Sequence, residues 1–587
     1  MARKKYNKNI IRNLFWVTKN IYATDKKYII LSVLNMFVSG IMPPISMIIM
    51  QSIINTIQIG DAKESVFLLI AVYVGIDLIQ TVFNNSLGYY NSKFLMKFNL
   101  VFSEKIYKKA SRLSLDDYEK SETYDLMNRA QYESGGKLIN YYNNFIGIFT
   151  TTITLASYLF ILLSFKIWLV LLVMIFPFIK YVLNNTFNIK RFEIIKQRTN
   201  DSRKSWYLTY LLTYGNFYKE LKTFNLFDYF IGKYKVIIKR FNSQDLEISK
   251  KQSILFSVVS LFETILDGFL FSYTVVLGIK GAILIGNVIT YTRTIISSKT
   301  SITSILNSIS TAINESLFIE QLFEYFNIEE ENNDGKIKID KINSIKLVNL
   351  SYKYRYSKDY VLKDISLEVN RDKKIAIVGM NGSGKTTLIK LIMGFYTDYE
   401  GDIFINGIEL RNIDRESLLK NISTLFQDFV KYEATFRENI AYGNLEIMND
   451  DEKINAVSKK FNLLDIIEKQ EKNLDTQLGV WFDEGINLSM GQWQKVALSR
   501  AFAKQSSLYI LDEPNAAMDS ITEYEISLLY EEILKDKIGI IIAHKFTNII
   551  SIIDDIYVLQ NGKIVEKGSH KELLKIDGLY KRLYDLR

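Results

Sequence analysis

The sequence predicts a two-part fold: an α-helical transmembrane domain of six spans with long cytosolic extensions, followed by an α/β nucleotide-binding domain of the phosphate-loop class. Three observations predict it. Apolar stretches of about 20 residues, the length that crosses a bilayer as a helix, recur between residues 28 and 313. After the acidic, Asn-rich FNIEEENNDGK the pattern changes to short β-rich runs alternating with helices. Inside that second half, KKIAIVGMNGSGKTTLIKLIMGF runs from apolar strand through glycine-rich loop to apolar-striped helix. A chain of 587 residues is too long for one core, and 48% hydrophobic with 23% charged residues implies that the apolar residues are segregated. The reading is a membrane domain over 1–326, a linker over 327–340 and a nucleotide-binding domain over 341–587.

The apolar segments are 28–57, 65–87, 139–165, 167–184, 254–279 and a more polar 283–313. The short loops after the first, third and fifth contain only Lys63, Lys166 and Lys280. By contrast, the N-terminal arm carries Arg3, Lys4, Lys5, Lys8, Arg12, Lys19, Lys26 and Lys27, and the other two connections are long and basic. The positive-inside bias therefore puts both termini, the long connections and the second domain on the cytosolic side of a multi-pass membrane protein. Much of the formal charge of +9 is then a topology signal, and nucleic acid is not an expected partner. With no cysteine, disulfides, zinc–thiolate sites and a cysteine nucleophile are excluded, and with two histidines a His-rich metal site is too. The N-terminus lacks a long apolar core followed by a small-residue cleavage site, so no removable signal peptide is expected.

The long connections, of about 50 and about 70 residues, are charged and helix-forming. Helices are expected to continue well beyond the bilayer and turn near 115–129 and 211–224. Within the apolar segments stand Asp77, Glu263, Asp267, Arg293 and Lys299. Charges at that depth are costly unless paired or facing water. Helix rise puts Asp267 and Lys299 both near mid-membrane, and two readings stay open, a structural ion pair or a substrate pathway.

In the second half, Gly379, Gly384, Lys385 and Thr386 fit G-x-x-x-x-G-K-[ST] in the required strand–loop–helix setting. Glycines let backbone N–H groups surround phosphate oxygens, and the helix N-terminus adds its positive end. Asn381, Gly382, Ser383 and Thr387 complete this phosphate cradle. Lys385 is expected to reach the β- and γ-phosphates of ATP, and Thr386 to ligate Mg²⁺. The apolar strand in SLYILDE ends in Asp512, a second Mg²⁺ ligand, and Glu513, suited to act as general base for water. GIIIAH ends another buried strand at His544, at the place where a γ-phosphate contact is favoured. Asn561-Gly562 reads as a two-residue hairpin turn.

These motifs, with LSMGQ at Leu488 to Gln492, resemble the exporter-type half-transporters of the ATP-binding cassette (ABC) family over nearly the whole chain. The resemblance implies two cassettes facing head to tail, the signature of one completing the ATP site of the other. Ser489, Gly491 and Gln492 would then act in trans on the γ-phosphate held by a partner's Lys385. Met490 stands where the signature has glycine. It further implies that Tyr354 stacks on adenine, that Gln427 touches Mg²⁺ and senses the membrane domain, and that Asp519 lies in the loop after the catalytic glutamate. His544 would be the switch histidine, and the turns near 115–129 and 211–224 would be coupling helices. A second copy of the chain is the simplest partner, with a related half-transporter as the alternative.

The phrases FQDFVKYEATFRENI, LSMGQWQKVALSRA and YKELKTFNLFDYF resemble bacterial exporters of modified peptides such as lanthipeptides. A peptide or amphipathic cargo is the expectation, with multidrug or lipid export as the alternative and an ATP-gated channel or sensor as a further one. Soluble cassette proteins of DNA repair or translation are excluded by the apolar spans.

Overall fold

The computed structural model describes residues 2–60, 63–331, 335–355, 357–514, 520–543 and 548–585. It divides into two units, one of Met1–Ser111 with Glu122–Ile328, the other of Arg112–Ser121 with Glu329–Arg587.

In the first unit the apolar segments become helices much longer than a bilayer. They are α1 (Ala2–Thr24), α2 (Lys26–Ile59) and α3 (Lys63–Ala110), then, after the four-residue α4 (Leu115–Tyr118) of the second unit, α5 (Ser121–Phe165), α6 (Ile167–Gln197), α7 (Thr199–Thr213), α8 (Gly215–Thr223), α9 (Phe227–Ile279) and α10 (Ile285–Phe326). At 1.5 Å per residue, the 53 residues of α9 extend about 80 Å, against roughly 30 Å of hydrocarbon. Among the described residues, α2, α3, α6, α9 and the 135–165 part of α5 are long and apolar enough to cross a membrane. The helix α10 has 42 residues but falls outside that set, because Ser, Thr and Asn interrupt its apolar face. It packs against α2, α6 and α9, and Thr290, Thr294, Ser298 and Lys299 are buried there.

Close approach and polar pairing hold these helices together, as expected where lipid gives no hydrophobic drive between them. A Cβ on Gly40 of α2 would lie 3.0 Å from the Ile153 side chain of α5, and Thr154 Oγ1 donates to the Gly40 carbonyl at 2.8 Å. Gln51 and Asn55 of α2 both donate to Asn287 Oδ1 of α10, at 2.6 and 2.7 Å. Lys299 pairs with Asp267, and Lys180 of α6 pairs with Glu263. Asp267 and Glu263 thus each have a cation from a neighbouring helix, which favours the structural reading of those two. Arg293 and Asp77 are exposed.

The second unit is built on two sheets. An antiparallel one pairs β1 (Ser344–Tyr352), β2 (Leu362–Asn370), β4 (Glu400–Ile405) and β5 (Ile408–Glu409) in the order β2-β1-β4-β5. The other has the order β10-β9-β3-β8-β7-β6, from β3 (Lys374–Gly379), β6 (Ile422–Leu425), β7 (Leu508–Asp512), β8 (Ile538–Ala543), β9 (Asp555–Gln560) and β10 (Lys563–Gly568). All neighbours from β9 to β6 run parallel. Their near-continuous Ile, Leu and Val runs are those of strands covered on both faces. The helices are α11 (Lys385–Ile392), α12 (Arg415–Lys420), α13 (Phe436–Ala441), α14 (Asp451–Lys460), α15 (Leu464–Ile467), α16 (Met490–Ala503), α17 (Ser520–Ile533), α18 (His570–Leu573) and α19 (Leu579–Asp585). Asn561 and Gly562, both at positive φ (49° and 78°), make the expected turn between β9 and β10.

The turn between α3 and α5 is narrower than the sequence reading. Ser114 caps α4, Lys120 pairs with Asp117, and α5 has begun by Ser121, so the stretch to Arg129 is already long helix. Leu115 packs on the core of the second unit, Arg112 pairs with Glu330, and Glu331 donates its backbone N–H to the Arg112 carbonyl at 2.8 Å. The second turn is α8, with Tyr214, Tyr218 and Phe224 exposed around it.

Candidate nucleotide site

The carboxyl ends of parallel strands are where α/β sheets bind ligands. Here β3 delivers the phosphate loop, β7 delivers Asp512 and Glu513, and β6 leads to Gln427. Gly379 cannot carry a side chain, since a Cβ would sit 2.2 Å from the Leu559 carbonyl of β9. Gly384 caps α11 at φ 104°, in the left-handed region that glycine favours. Asn381 and Gly382 lie exposed at the loop tip, and Thr386 is exposed on the first turn of α11.

Lys385 is 7% exposed, and its Nζ donates to the carbonyls of Gly379 (2.8 Å) and Met380 (3.0 Å), so the loop curls round its own ammonium. Burial lowers its pKa, opposed by the charges of Glu513 and Asp512. The Ser383 hydroxyl is buried and has no hydrogen-bond partner among the described residues, an uncompensated polar atom inside the loop that a phosphate oxygen would satisfy. Thr386 Oγ1 donates to Asp512 Oδ2 at 3.3 Å. Burial, and then the neighbouring Glu513, push the Asp512 carboxyl up to about 6. No cluster of three or more His, Cys, Asp or Glu occurs among the described residues. That donor set fits Mg²⁺ completed by substrate phosphates better than an all-protein metal cage.

Glu513 stands just past β7 at φ 47°, a conformation uncommon for a residue with a side chain and one that clusters at functional sites. Its backbone N–H donates to the Ile542 carbonyl of β8 at 3.1 Å, and Gln427 Nε2 donates to its carboxylate at 3.0 Å. The structure therefore brings Gln427 to Glu513, and Thr386 to Asp512. Gln494 is a residue the sequence reading missed. Its buried Nε2 donates to the Pro514 carbonyl at 2.6 Å and lies 3.4 Å from that of Glu513, bracing the turn that presents the carboxylate. A glutamine on the buried side of the α16 apolar stripe was the available signal.

Tyr354 is half-buried, its hydroxyl 2.8 Å from Thr387 Oγ1 on α11. Ser489 is the N-cap of α16 and forms a capping box with Gln492: the Ser489 N–H donates to Gln492 Oε1 at 2.9 Å, and the Gln492 N–H to Ser489 Oγ at 3.3 Å. Gln492 thus has a local structural task. Ser489 and Met490 are exposed, and among the described residues no hydrogen bond joins this turn to the phosphate loop of the same chain. His544 and Asp519 lie outside the described residues.

Comparison with known proteins agrees with this geometry. The ABC transporter family model matches residues 362–516. The subtilin transport ATP-binding protein SpaT of Bacillus subtilis is 35% identical over 574 residues, 96% of this chain and 92% of that protein. The nisin transport ATP-binding protein NisT of Lactococcus lactis subsp. lactis is 35% identical over 571 residues, covering 96% and 94%. A bacterial Atm1-family ABC exporter, solved with ATP bound, shares the fold with a TM-score of 0.79 at 22% identity, covering 96% and 98%. With its apolar helices and cassette in one polypeptide, the chain belongs to the ABC transporter family: it is a membrane exporter that binds ATP and couples its hydrolysis to transport.

Proposed function

We propose that this chain exports a peptide of the subtilin and nisin kind across the bacterial cytoplasmic membrane, as a homodimer with both termini and the cassettes in the cytosol. The peptide reading draws on the cargo named for the two relatives that match nearly end to end. It draws also on α10, where Arg293, Thr300, Ser304, Asn307, Thr311 and Asn314 are exposed at helical spacing. Such a stripe is costly against lipid and suits a hydrated path for a polar chain better than a purely apolar drug.

The observation that carries the catalytic reading is the convergence of Lys385, Thr386, Asp512, Gln427 and Glu513 beyond the carboxyl ends of β3, β7 and β6 in one parallel sheet. Backbone N–H groups from Gly379 to Thr387, with Ser383 Oγ and Lys385 Nζ, hold the phosphates, and Tyr354 stacks on adenine. Thr386, Asp512 and Gln427 hold Mg²⁺, which when bound neutralises charge developing on the phosphates. Glu513 takes a proton from the water that attacks the γ-phosphorus, while Gln427 fixes the carboxylate. His544 contacts the γ-phosphate. Ser489, exposed at the N-cap of α16, and the half-buried Gly491 after it close on the γ-phosphate bound by a second chain. ATP closes the cassette pair and turns the membrane cavity outward; hydrolysis resets it.

Steady-state ATPase activity of the chain alone in lipid nanodiscs tests this, with Glu513→Gln as control. Activity in the wild type that is lost in the variant supports a self-sufficient homodimer. Equal hydrolysis by both would remove Glu513 from the mechanism.

A further inference from the structure

Within the second unit, a chain of contacts leads from the phosphate-loop helix to α4. It starts at the 2.8 Å hydrogen bond between Thr387 of α11 and the Tyr354 hydroxyl. The Tyr354 ring meets that of Tyr396 edge-on, with centroids 5.7 Å apart at 89°. Tyr352 fills the corner, 5.3 Å from Tyr354 and stacked on Tyr396 at 5.1 Å. The Tyr396 hydroxyl then donates to Glu119 Oε1, just past α4, at 3.1 Å, and Lys390 of α11 lies 3.5 Å from the same oxygen. Tyr352 and Tyr396 are 3% and 1% exposed, whereas Tyr354 keeps part of its surface open.

Two buried rings in a close-packed core cannot turn independently of a third in edge contact with both. A ligand stacking on the open part of Tyr354 therefore acts on the position of Tyr396, and through its hydroxyl on Glu119. Glu119 is 44% exposed, so its tie to the cassette is weak enough to be made and broken. We infer that Tyr354, Tyr396 and Glu119 form a relay that reports occupancy of the adenine platform to α4, separate from the route through Gln427. Tyr396 and Glu119 are positioning residues in it; neither touches nucleotide. The inference rests on Tyr354 being the adenine platform.

Coupling between two sites is reciprocal. If bound adenine favours the arrangement that holds Glu119, cutting the link at Glu119 weakens ATP binding by the same factor. A ligand with phosphates but no base meets Thr387 but does not stack on the Tyr354 ring, so it leaves the rings in place and the cut should not weaken it. The experiment measures ATP and inorganic tripolyphosphate binding to the full chain in nanodiscs by calorimetry, on the non-hydrolysing Glu513→Gln background. Glu119→Ala and Tyr396→Phe are each expected to weaken ATP by up to about fivefold. The double variant should be no worse than the weaker single, with tripolyphosphate unchanged. Unchanged ATP affinity in both variants overturns the relay. So does equal weakening of ATP and tripolyphosphate, which marks general damage to the cassette. Tyr354→Ala separates the two readings: weaker ATP binding there alone leaves the platform and removes the relay, whereas no effect there removes the platform and the relay with it.

Discussion

Glu513 shows how much structure is needed to aim one carboxylate. Its backbone is held at positive φ by the β8 carbonyl of Ile542, its side chain by Gln427, and the turn behind it by Gln494. A general base contributes roughly 10²–10⁴-fold to rate. Glu513→Gln should lower phosphate release by about that factor while equilibrium ATP binding persists. Gln494→Ala removes a buried hydrogen bond, which costs about 1–3 kcal/mol in such a setting. Because Gln494 braces the turn and does not approach the phosphates, kcat should fall with KM for ATP nearly unchanged. A rise in KM with kcat intact would contradict that role. Asp512 and Glu513 were legible in the sequence because strand-end polar residues after apolar runs are a local pattern, and Gln427 through the family resemblance. Gln494 was marked only by its place on the α16 apolar stripe, which does not name its partners, about twenty residues away past β7.

The helices of the first unit are held by a few specific contacts. Gly40 lets α2 approach α5 at the distance where Thr154 reaches its carbonyl. Gly40→Val should force the helices apart and cost about 1–3 kcal/mol, as overpacking does, read as a lower unfolding temperature in nanodiscs. Lys299 is 6% exposed at the side chain and pairs with Asp267 across α9 and α10. Asp267 is partly exposed, at 35%, but within an apolar span, and stripping it of its buried cation costs more than replacing both partners with apolar groups. Lys299→Met should therefore destabilise the protein more than Lys299→Met combined with Asp267→Leu, and the double variant should retain export. A folded double variant that no longer transports would instead assign the pair to the cargo path. The sequence could place these charges at similar depth from helix rise, but not pair them, because rotation about the helix axis is set by packing.

In the assembled molecule the decisive question is whether the exposed signature turn works on its own chain or on another. Chains carrying Ser489→Arg keep an intact phosphate loop, and chains carrying Lys385→Ala keep an intact signature. If the signature acts in trans between two copies, neither homodimer has a complete site, whereas a mixed dimer has one. Co-expression of the two should restore measurable ATP hydrolysis that each variant lacks alone. No recovery in co-purified mixed dimers would argue against the signature acting in trans.

Spans, phosphate loop and strand-end carboxylates were readable from residue order, since each follows from short-range rules. Lipid demands an unbroken apolar helix, and phosphate demands a glycine loop opening onto a helix. The polarity of α10 was likewise visible in its composition. Other features depend on residues far apart in the chain meeting in space. Residues 112–121, framed by α3 and α5, compact with the cassette and not with the helices that carry them. Lys180 finds Glu263, Gln494 reaches Pro514, and Tyr354, Tyr396 and Glu119 line up from three separate segments. These side chains are ordinary in type and carry no spacing signal; what joins them is the close packing of a core, where position is settled by every neighbour at once.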